Sequence, residues 1–256
     1  MAKNTIVDIL RRKVNKTIYQ QQLIEDGDKV VLGLSGGKDS LALLDILSFL
    51  RPSMRNKFIL KAIHIHISNV GYKIDTEFLQ QFCKDRDVEL EIISFEADLS
   101  AKEKSICAPC SWNRRRALFA NVIDTDYTKL ALGHHMDDYI ETLLMNMMFH
   151  GIISSTPYKL QMFKGKINLI RPLMDIKRSQ LKEYALAMNF PKELKTCPYG
   201  ENTKRISMID VVDKMELLNK EARINLFRST QNIYPQYIPN FKLINDDKHF
   251  PDIEIM

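Results

Sequence analysis

The sequence predicts an α/β protein built on a parallel, doubly wound sheet, and three observations support this class. Short apolar runs typical of buried strands alternate along the chain with amphipathic helical patterns. The first apolar run, which begins at Val30, continues through Ser-Gly-Gly into a helical pattern at Leu41. Polar residues stand at the ends of three of the predicted strands, namely Ser35, His66 and His134. Because such sheets bind ligands at the carboxyl ends of their strands, we expect one crevice containing these three residues.

An N-terminal helix and a C-terminal helical extension are expected to flank the sheet. The helix occupies residues 1–26, the sheet domain residues 27–178 and the extension residues 179–256. Basic side chains of the first helix should lie on its outer side, at Arg11, Arg12, Lys13 and Lys16. Strands are predicted from Val30 and over Ile59–Ile67, Val88–Phe95, Lys129–Gly133 and Ile167–Leu173. Helices are predicted over residues 4–24, Asp75–Arg86, Ser111–Ile123, Met136–Phe149 and Lys204–Phe227. Two further helices are predicted to begin at Leu41 and at Ser179. An extended segment is predicted over Tyr234–Pro239.

Length and composition restrict the classes of protein to consider. The chain has 256 residues, of which 45% are hydrophobic, and it contains no apolar run long enough to span a bilayer. Its first residues have no signal-peptide core, so we expect a cytoplasmic protein. Four cysteines in a reducing compartment favour metal or redox roles over disulfides. The net charge of +5 permits a polyanionic partner without requiring one.

The turn from Ser35 to Ser40 is a candidate anion site. A strand that enters a helix through a glycine turn presents backbone N–H groups at a helix N-terminus, and these groups bind phosphate. Gly36 and Gly37 permit backbone angles that other residues avoid. The turn is not a Walker A loop, because the glycine spacing is wrong and Asp39 stands where Ser or Thr must bind magnesium. A plain strand-to-helix turn is the alternative interpretation.

A second group of polar residues, Gly133-His134-His135-Met136-Asp137-Asp138, follows a predicted strand and opens a helix. Acids in a first helical turn favour the helix dipole and could serve only as caps. Two carboxylates that face a phosphate crevice could instead hold the Mg²⁺ that neutralises a triphosphate.

The cysteines form a third group. Cys107 and Cys110 make a C-x-x-C, Cys197 stands far along the chain, and Cys83 falls in a helical pattern typical of a buried thiol. Zinc would require a fourth ligand, and none is evident. Three thiolates suit a [4Fe–4S] cluster whose fourth iron stays open and could carry sulfide.

Together these motifs resemble the tRNA 2-thiocytidine synthetases, a family of N-type ATP pyrophosphatases. The resemblance runs from about Leu23 to Asn240 and includes S-G-G-K-D-S, C-x-x-C-S followed by arginines, G-H-H-x-D-D and Arg171-Pro172-Leu173. Family members carry a second C-x-x-C, whereas here Gly200 replaces its last cysteine. The resemblance implies a Rossmann-like PP-loop fold, use of ATP, Mg²⁺ and a [4Fe–4S] cluster, and a tRNA substrate. It also implies a cysteine desulfurase as sulfur source and a homodimer.

The resemblance further implies a role for individual residues. ATP would activate the C2 oxygen of cytidine 32 by adenylation, and sulfide would then replace it. Catalytic roles fall to Lys38, Asp39, Arg114 and Asp137. ATP would contact Leu34, Ser35, Gly36, Gly37, Asp39, Ser40, His66, Gly133 and His134. The cluster would be held by Cys107, Cys110 and Cys197, and Mg²⁺ by Asp137 and Asp138.

A basic stretch over Lys159–Lys182, which includes Arg171, is the predicted RNA contact. The predicted tRNA-binding residues are Arg115, Arg116, Lys159, Lys164, Lys166, Lys177 and Arg178. A modified base must leave its stack, and Trp112, Tyr158 and Phe163 could receive it or could simply pack in the protein.

Other functions remain open at the level of sequence. A lysidine-type ligase shares the nucleotide motifs but needs no cluster, so the cysteines argue against it. Thiolation of a different base is a further alternative. A nucleotide-binding redox module without turnover is disfavoured, because acids near phosphates weaken binding unless a metal bridges them.

Overall fold

The sheet has the α/β organisation that the sequence predicts. The computed structural model describes residues 5–70, 74–97, 107–123, 125–191 and 204–243. Within these residues the strands are β1 (Asp28–Gly33), β2 (Phe58–Ile67), β3 (Glu89–Phe95), β4 (Lys129–Ala131), β5 (Lys159–Met162) and β6 (Ile167–Ile170). They form one sheet in the order β3-β2-β1-β4-β6-β5. Neighbouring strands run parallel except β5 and β6, so the predicted doubly wound sheet is confirmed.

Helices connect most of the strands. They are α1 (Ile6–Gln20), α2 (Lys38–Leu50), α3 (Thr76–Lys84), α4 (Cys107–Ala120), α5 (Met136–His150), α6 (Arg178–Ala187), α7 (Lys204–Leu218) and α8 (Ala222–Ser229). Of the helices described, none is long and apolar enough to cross a membrane. The single helix predicted over Lys204–Phe227 is wrong, because a turn at Asn219 separates α7 from α8. The predicted extended end is also wrong, since Pro235–Tyr237 form a 3-10 turn.

Strand β5 was missed by the sequence analysis. It pairs antiparallel with β6, from Lys159 opposite Ile170 to Met162 opposite Ile167. Its four residues, Lys-Leu-Gln-Met, are too few for a clear alternation, and the stretch was interpreted only by its charge. Phe163, Lys164 and Gly165 all have positive φ and make the hairpin turn.

By its contacts the chain divides into two units. The first comprises residues 1–137 and 157–202, and the second comprises residues 138–156 and 203–256. In the second unit, the Tyr139 ring packs edge-on against Phe227 and its hydroxyl hydrogen-bonds Thr230. The domain boundaries expected from the sequence, after residues 26 and 178, stay predictions.

A buried carboxylate ties several helices of the first unit together. Asp45 of α2 is 4% exposed, and its oxygens lie 3.1 Å from Arg11 Nη2 and 2.7 Å from Arg86 Nη2. The Tyr184 hydroxyl of α6 also donates to this carboxylate. Arg11 therefore lies inward, where its guanidinium also stacks 3.6 Å from the Phe49 ring, and its predicted outward position is wrong.

Strand β2 carries a buried histidine beside the end of β1. His64 is 2% exposed, and its Nδ1 lies 2.7 Å from the Leu34 carbonyl oxygen. A carbonyl oxygen only accepts, so Nδ1 carries the proton and donates. Burial lowers the pKa of His64 below its usual value, and the nearby charge of Arg114 adds to this effect.

We expect Asp45→Asn to lower the free energy of unfolding by about 3 kcal/mol, because it leaves two guanidinium groups without their carboxylate. Equilibrium urea unfolding measures the change. Asp87→Asn is the matched control, since Asp87 pairs with Arg51 but its side chain is 99% exposed. Equal urea midpoints for the two variants would contradict a stabilising role for the Asp45 contacts.

We expect His64 to make the protein less stable in mild acid. Its pKa is lowered in the folded state, so the unfolded chain takes up a proton that the folded protein does not bind. The stability is present above the unfolded pKa of about 6.5 and is lost as the pH falls below it. His64→Asn should reduce this loss, by at most about 1.4 kcal/mol per pH unit. Urea midpoints of the wild type and of the variant at about pH 8 and about pH 5.5 measure how the stability of each depends on pH. An equal pH dependence in the two proteins would refute the assignment to His64.

Candidate functional site

The turn between β1 and α2 has the geometry of an anion site. Gly36 has φ of +82°, and Gly37 precedes the first helical residue, Lys38. Ser35 Oγ lies 3.0 Å from Ser40 Oγ, and the Ser40 hydroxyl donates to the Gly37 carbonyl at 2.9 Å. Glycine has no side chain with which to cap a helix, so the N–H groups of the first turn of α2 can be satisfied by a bound anion.

Gly133 brings the second motif against this turn. A Cβ atom at Gly133 would lie 3.0 Å from the Asp39 carbonyl carbon and 3.0 Å from the Ser40 nitrogen. These neighbours are backbone atoms of α2, so a larger residue would have to displace the helix or the strand end. The Gly-His-His segment therefore lies directly on the first turn of α2.

His135 lies between two of the predicted acids. This histidine is 2% exposed, with Nε2 at 3.9 Å from Asp39 Oδ2 and Nδ1 at 3.8 Å from Asp137 Oδ2. Lys38 Nζ contacts the same Asp39 oxygen at 2.9 Å. His135 was not predicted as a site residue, although its place in the Gly-His-His motif was a signal that could have found it.

Asp137 acts as a cap, but for a helix remote in sequence. Its Oδ2 accepts a hydrogen bond from the backbone N–H of Arg178, the first residue of α6, at 2.7 Å. A carboxylate at a helix N-terminus is stabilised by the helix dipole. Asp138, the other acid predicted to bind Mg²⁺, is 9% exposed and belongs to the second unit.

Asp39 offers an oxygen suited to a cation. Its Oδ1 is buried and has no hydrogen-bond partner among the residues that the structure describes. A buried anionic oxygen without a donor is costly, and coordination to a metal would remove that cost. In the described ranges no three His, Cys, Asp or Glu side chains gather as a metal cage. The arrangement fits Mg²⁺, which usually takes one or two carboxylates and completes its shell with substrate phosphates and water.

His134 contacts a buried arginine. Arg171 is 0% exposed, and its Nε lies 3.3 Å from His134 Nδ1. Its Nη1 donates to the Pro157 carbonyl at 2.6 Å. Arg171 was expected to belong to a basic RNA-binding stretch, and this expectation is wrong because its side chain is not accessible.

The end of β2 supplies further residues to the same edge of the sheet. His66 is half-buried and pairs in register with Ser94 of β3. Arg114 of α4 is half-buried and lies near enough to lower the pKa of His64. His64 was missed by the sequence analysis, since an alternating strand pattern does not distinguish a structural histidine from a hydrophobic one.

The Cys107-x-x-Cys110 motif lies on the first turn of α4, because the helix begins at Cys107 and not at the predicted Ser111. Cys110 packs against the buried cluster of Ile67, Val70 and Ala97, which lies at the ends of β2 and β3. The Cys107 side chain and Cys197 lie outside the part of the structure that is described. Convergence of the three thiols therefore stays a prediction. Cys83 is 1% exposed, and burial raises the pKa of its thiol to about 11, as expected for a core cysteine.

The predicted RNA contacts differ in accessibility. Arg116, Lys164 and Lys166 are exposed, and the Arg116 guanidinium lies 5.3 Å from the Trp112 ring. Half-buried positions hold Arg115, Lys159, Lys177 and Arg178.

The three aromatic candidates for base stacking also differ in how far they are packed into the protein. Tyr158 donates to Asp175 and packs against the core, so its packing interpretation is correct. Trp112 and Phe163 are 51% and 42% exposed, and the Phe163 ring also packs edge-on against Phe119 at 5.3 Å.

Comparison with known proteins identifies the family of this chain. The PP-loop domain model, ATP_bind_3, matches residues 8–191. A protein of Paraburkholderia xenovorans named tRNA-cytidine(32) 2-sulfurtransferase is 35% identical over 246 residues, which cover 94% of this chain and 73% of that protein. A protein of Hahella chejuensis with the same name is 34% identical, with coverage of 96% and 87%.

A solved structure shares the fold. It is that of the U34-tRNA thiolase NcsA from Methanococcus maripaludis with its [4Fe-4S] cluster, which superposes with a TM-score of 0.72 at 24% identity. The match covers 90% of this chain and 80% of that one. The fold, the loop geometry and the relatives agree, and the chain belongs to the tRNA-cytidine(32) 2-sulfurtransferase family of PP-loop enzymes.

Proposed function

We propose that this enzyme thiolates tRNA by replacing the C2 oxygen of cytidine 32 with sulfur at the expense of ATP. The observation that carries the proposal is the glycine-built N-terminus of α2, where Asp39 presents a buried oxygen without a hydrogen-bond partner in the described structure. An uncapped helix N-terminus suits phosphate, and the bare carboxylate oxygen suits its counterion. Relatives over 30% identical along nearly the whole chain carry the corresponding name.

ATP would place its phosphates on the Ser35–Ser40 turn. Lys38, which pairs with Asp39 at 2.9 Å, could turn its ammonium group to the phosphates. Asp39 Oδ1 would hold Mg²⁺, while Asp137 Oδ2 already accepts from the α6 backbone. This division makes Asp39 the better candidate metal ligand, although the sequence analysis had assigned Mg²⁺ to Asp137 and Asp138.

The reaction would proceed by adenylation and substitution. The C2 oxygen of the cytosine attacks the α-phosphorus, and the bond to the β-phosphate oxygen breaks to release pyrophosphate. Sulfide then adds to C2, and AMP leaves with the former C2 oxygen. The N–H groups of α2, together with Lys38 and Arg114, would stabilise the charge that develops on the phosphoryl oxygens.

The sulfur would come from a cysteine desulfurase as a persulfide, which a thiol reductant would convert to sulfide and a disulfide. Cys107, Cys110 and Cys197 would hold a [4Fe–4S] cluster, whose open iron would supply a binding site for sulfide. Cys110 lies at the ends of β2 and β3, on the same edge of the sheet as the Ser35–Ser40 turn, which we call the anion turn. This position supports the assignment. Gly200 in place of a fourth cysteine leaves this set of three intact.

The tRNA would be held by exposed cations and aromatics. Arg116, Lys164 and Lys166 would contact phosphates, and Trp112 or Phe163 would stack on a splayed base. Arg115, Lys159, Lys177 and Arg178 would contribute their accessible parts. A homodimer is part of the proposal by family resemblance.

The function can be tested by thiolation in vitro. Anaerobically purified protein with ATP, Mg²⁺, sulfide and unmodified tRNA should form 2-thiocytidine and release AMP and pyrophosphate, as measured by nucleoside mass spectrometry and nucleotide analysis. Thiolation of a base other than cytidine would show that this other base is the substrate. An unthiolated tRNA after cluster reconstitution would refute the function.

We expect Cys110→Ala to abolish the brown colour of the anaerobically purified enzyme and its thiolation activity. A cluster that loses one of three thiolates lacks the ligands to persist. Cys83→Ala is the matched control, because Cys83 lies buried in α3. The absorbance of the cluster measures the result, and equal colour in both variants would exclude Cys110 as a ligand.

We expect Gly133→Ala to raise the KM for ATP at least about tenfold, because the new methyl group would push on the α2 backbone at 3.0 Å. Gly27→Ala is the control: Gly27 has positive φ, so the change is strained in the backbone, but Gly27 precedes β1 at the other end of the strand. The control should lower stability and leave the KM unchanged. Steady-state kinetics and urea unfolding of both variants separate the two effects.

A further inference from the structure

We propose that Arg171 is a positioning residue that fixes the tautomer of His134, so that His134 Nε2–H is a hydrogen-bond donor toward bound ATP. The tautomer follows from the contacts of Arg171. The role toward ATP rests on the proposed function.

Arg171 is held rigidly at the carboxyl end of the sheet. It directly follows Ile170, which pairs with Ala131 of β4, and His134 lies just beyond that strand. Its backbone N–H donates to the Tyr158 carbonyl at 2.9 Å and its Nη1 to the Pro157 carbonyl at 2.6 Å. Backbone and side chain are thus bonded to the same short segment, which orients the guanidinium.

A third contact of Arg171 determines which nitrogen of His134 carries the proton. Arg171 Nε lies 3.3 Å from His134 Nδ1, and a guanidinium donates but cannot accept. Nδ1 must therefore present its lone pair, and a neutral imidazole then has its proton on Nε2. A doubly protonated ring would direct an N–H at an N–H and set a second cation beside a fully buried one.

His64 has the opposite tautomer in the same unit. Its Nδ1 faces the Leu34 carbonyl oxygen at 2.7 Å and must donate. The two histidines thus provide opposite spectroscopic signatures within one molecule, and His64 is an internal reference for His134.

The consequence for ATP follows from the position of His134. It is half-buried and directly follows Gly133, whose backbone lies on the first turn of α2. A fixed Nε2–H can donate to an acceptor atom of a nucleotide seated there, whereas the other tautomer would present a lone pair and repel it. Lysine at position 171 would keep the charge but lose the planar fork that bonds Pro157 and His134 together.

Long-range ¹H–¹⁵N correlation spectra of protein labelled at histidine test the tautomer without any activity assay. The expected spectrum shows His134 protonated at Nε2 and His64 protonated at Nδ1, with assignments from His134→Gln and His64→Gln. A His134 ring protonated at Nδ1, or at both nitrogens near neutral pH, would overturn the proposal even if no Arg171 variant folds.

Arg171→Lys tests whether the arginine is the cause. Its His134 signals should move toward mixed tautomers while those of His64 stay in place. Arg86→Lys is the control, since Arg86 also donates from a largely buried position, to Asp45. Unchanged His134 signals in a folded Arg171→Lys variant would overturn the proposal.

The role toward ATP has a separate readout. Arg171→Lys and His134→Gln should each raise the KM for ATP about tenfold, the size of one lost hydrogen bond, with a smaller effect on kcat. The double variant should be no worse than either single variant, because both remove the same donor. Additive effects of the two substitutions on the KM for ATP would refute the role of this pair toward ATP. Absence of thiolation by the wild type would instead refute the proposed function and leave the tautomer unaffected.

Discussion

The close approach of Gly133 to the first turn of α2 is the constraint on which the candidate site depends. A Cβ atom would lie 3.0 Å from backbone atoms of Asp39 and Ser40, so a larger residue would push the strand end and the helix apart. This contact places the residues after β4 beside the anion turn. His135 consequently reaches Asp39 and Asp137, two acids from separate motifs. Two segments that are distant in the sequence thus meet at one polar site.

Helix α6 is bonded to two carboxylates of the elements around this site. Asp137 accepts from the N-terminus of α6, and Asp45 accepts from Tyr184 within the same helix. Asp45 also binds Arg11 and Arg86, which connects α1 and the end of α3 to α2. Asp45 lies in the same helix, α2, whose N-terminus adjoins the Ser35–Ser40 turn. The stability contribution of Asp45 and the geometry of the loop are therefore linked through one helix.

Most of the parallel sheet and the edge that carries the site were predictable from sequence, and the errors share a physical cause. Alternating apolar patterns and the glycine turn are local features, and they led correctly to the strand ends at Ser35, His66 and His134. Arg11 and Arg171 were interpreted by charge alone, and both proved to be buried against partners from remote segments. Strand β5 forms because it can hydrogen-bond to the edge of β6. The sequence of its four residues alone does not indicate this pairing.

The sequence by itself determined the fold class, the glycine turn between β1 and α2, and the family, because each depends on residue types at fixed spacing. Only the tertiary structure decided what the individual polar atoms do. It directs Asp137 Oδ2 to the N-terminus of α6, leaves Asp39 Oδ1 without a donor in the described structure, and gives His64 a proton at Nδ1. The hydrogen bonding of these atoms depends on close contacts, at hydrogen-bond distance, between segments that are far apart in the chain. Such distances exist only once the sheet has formed.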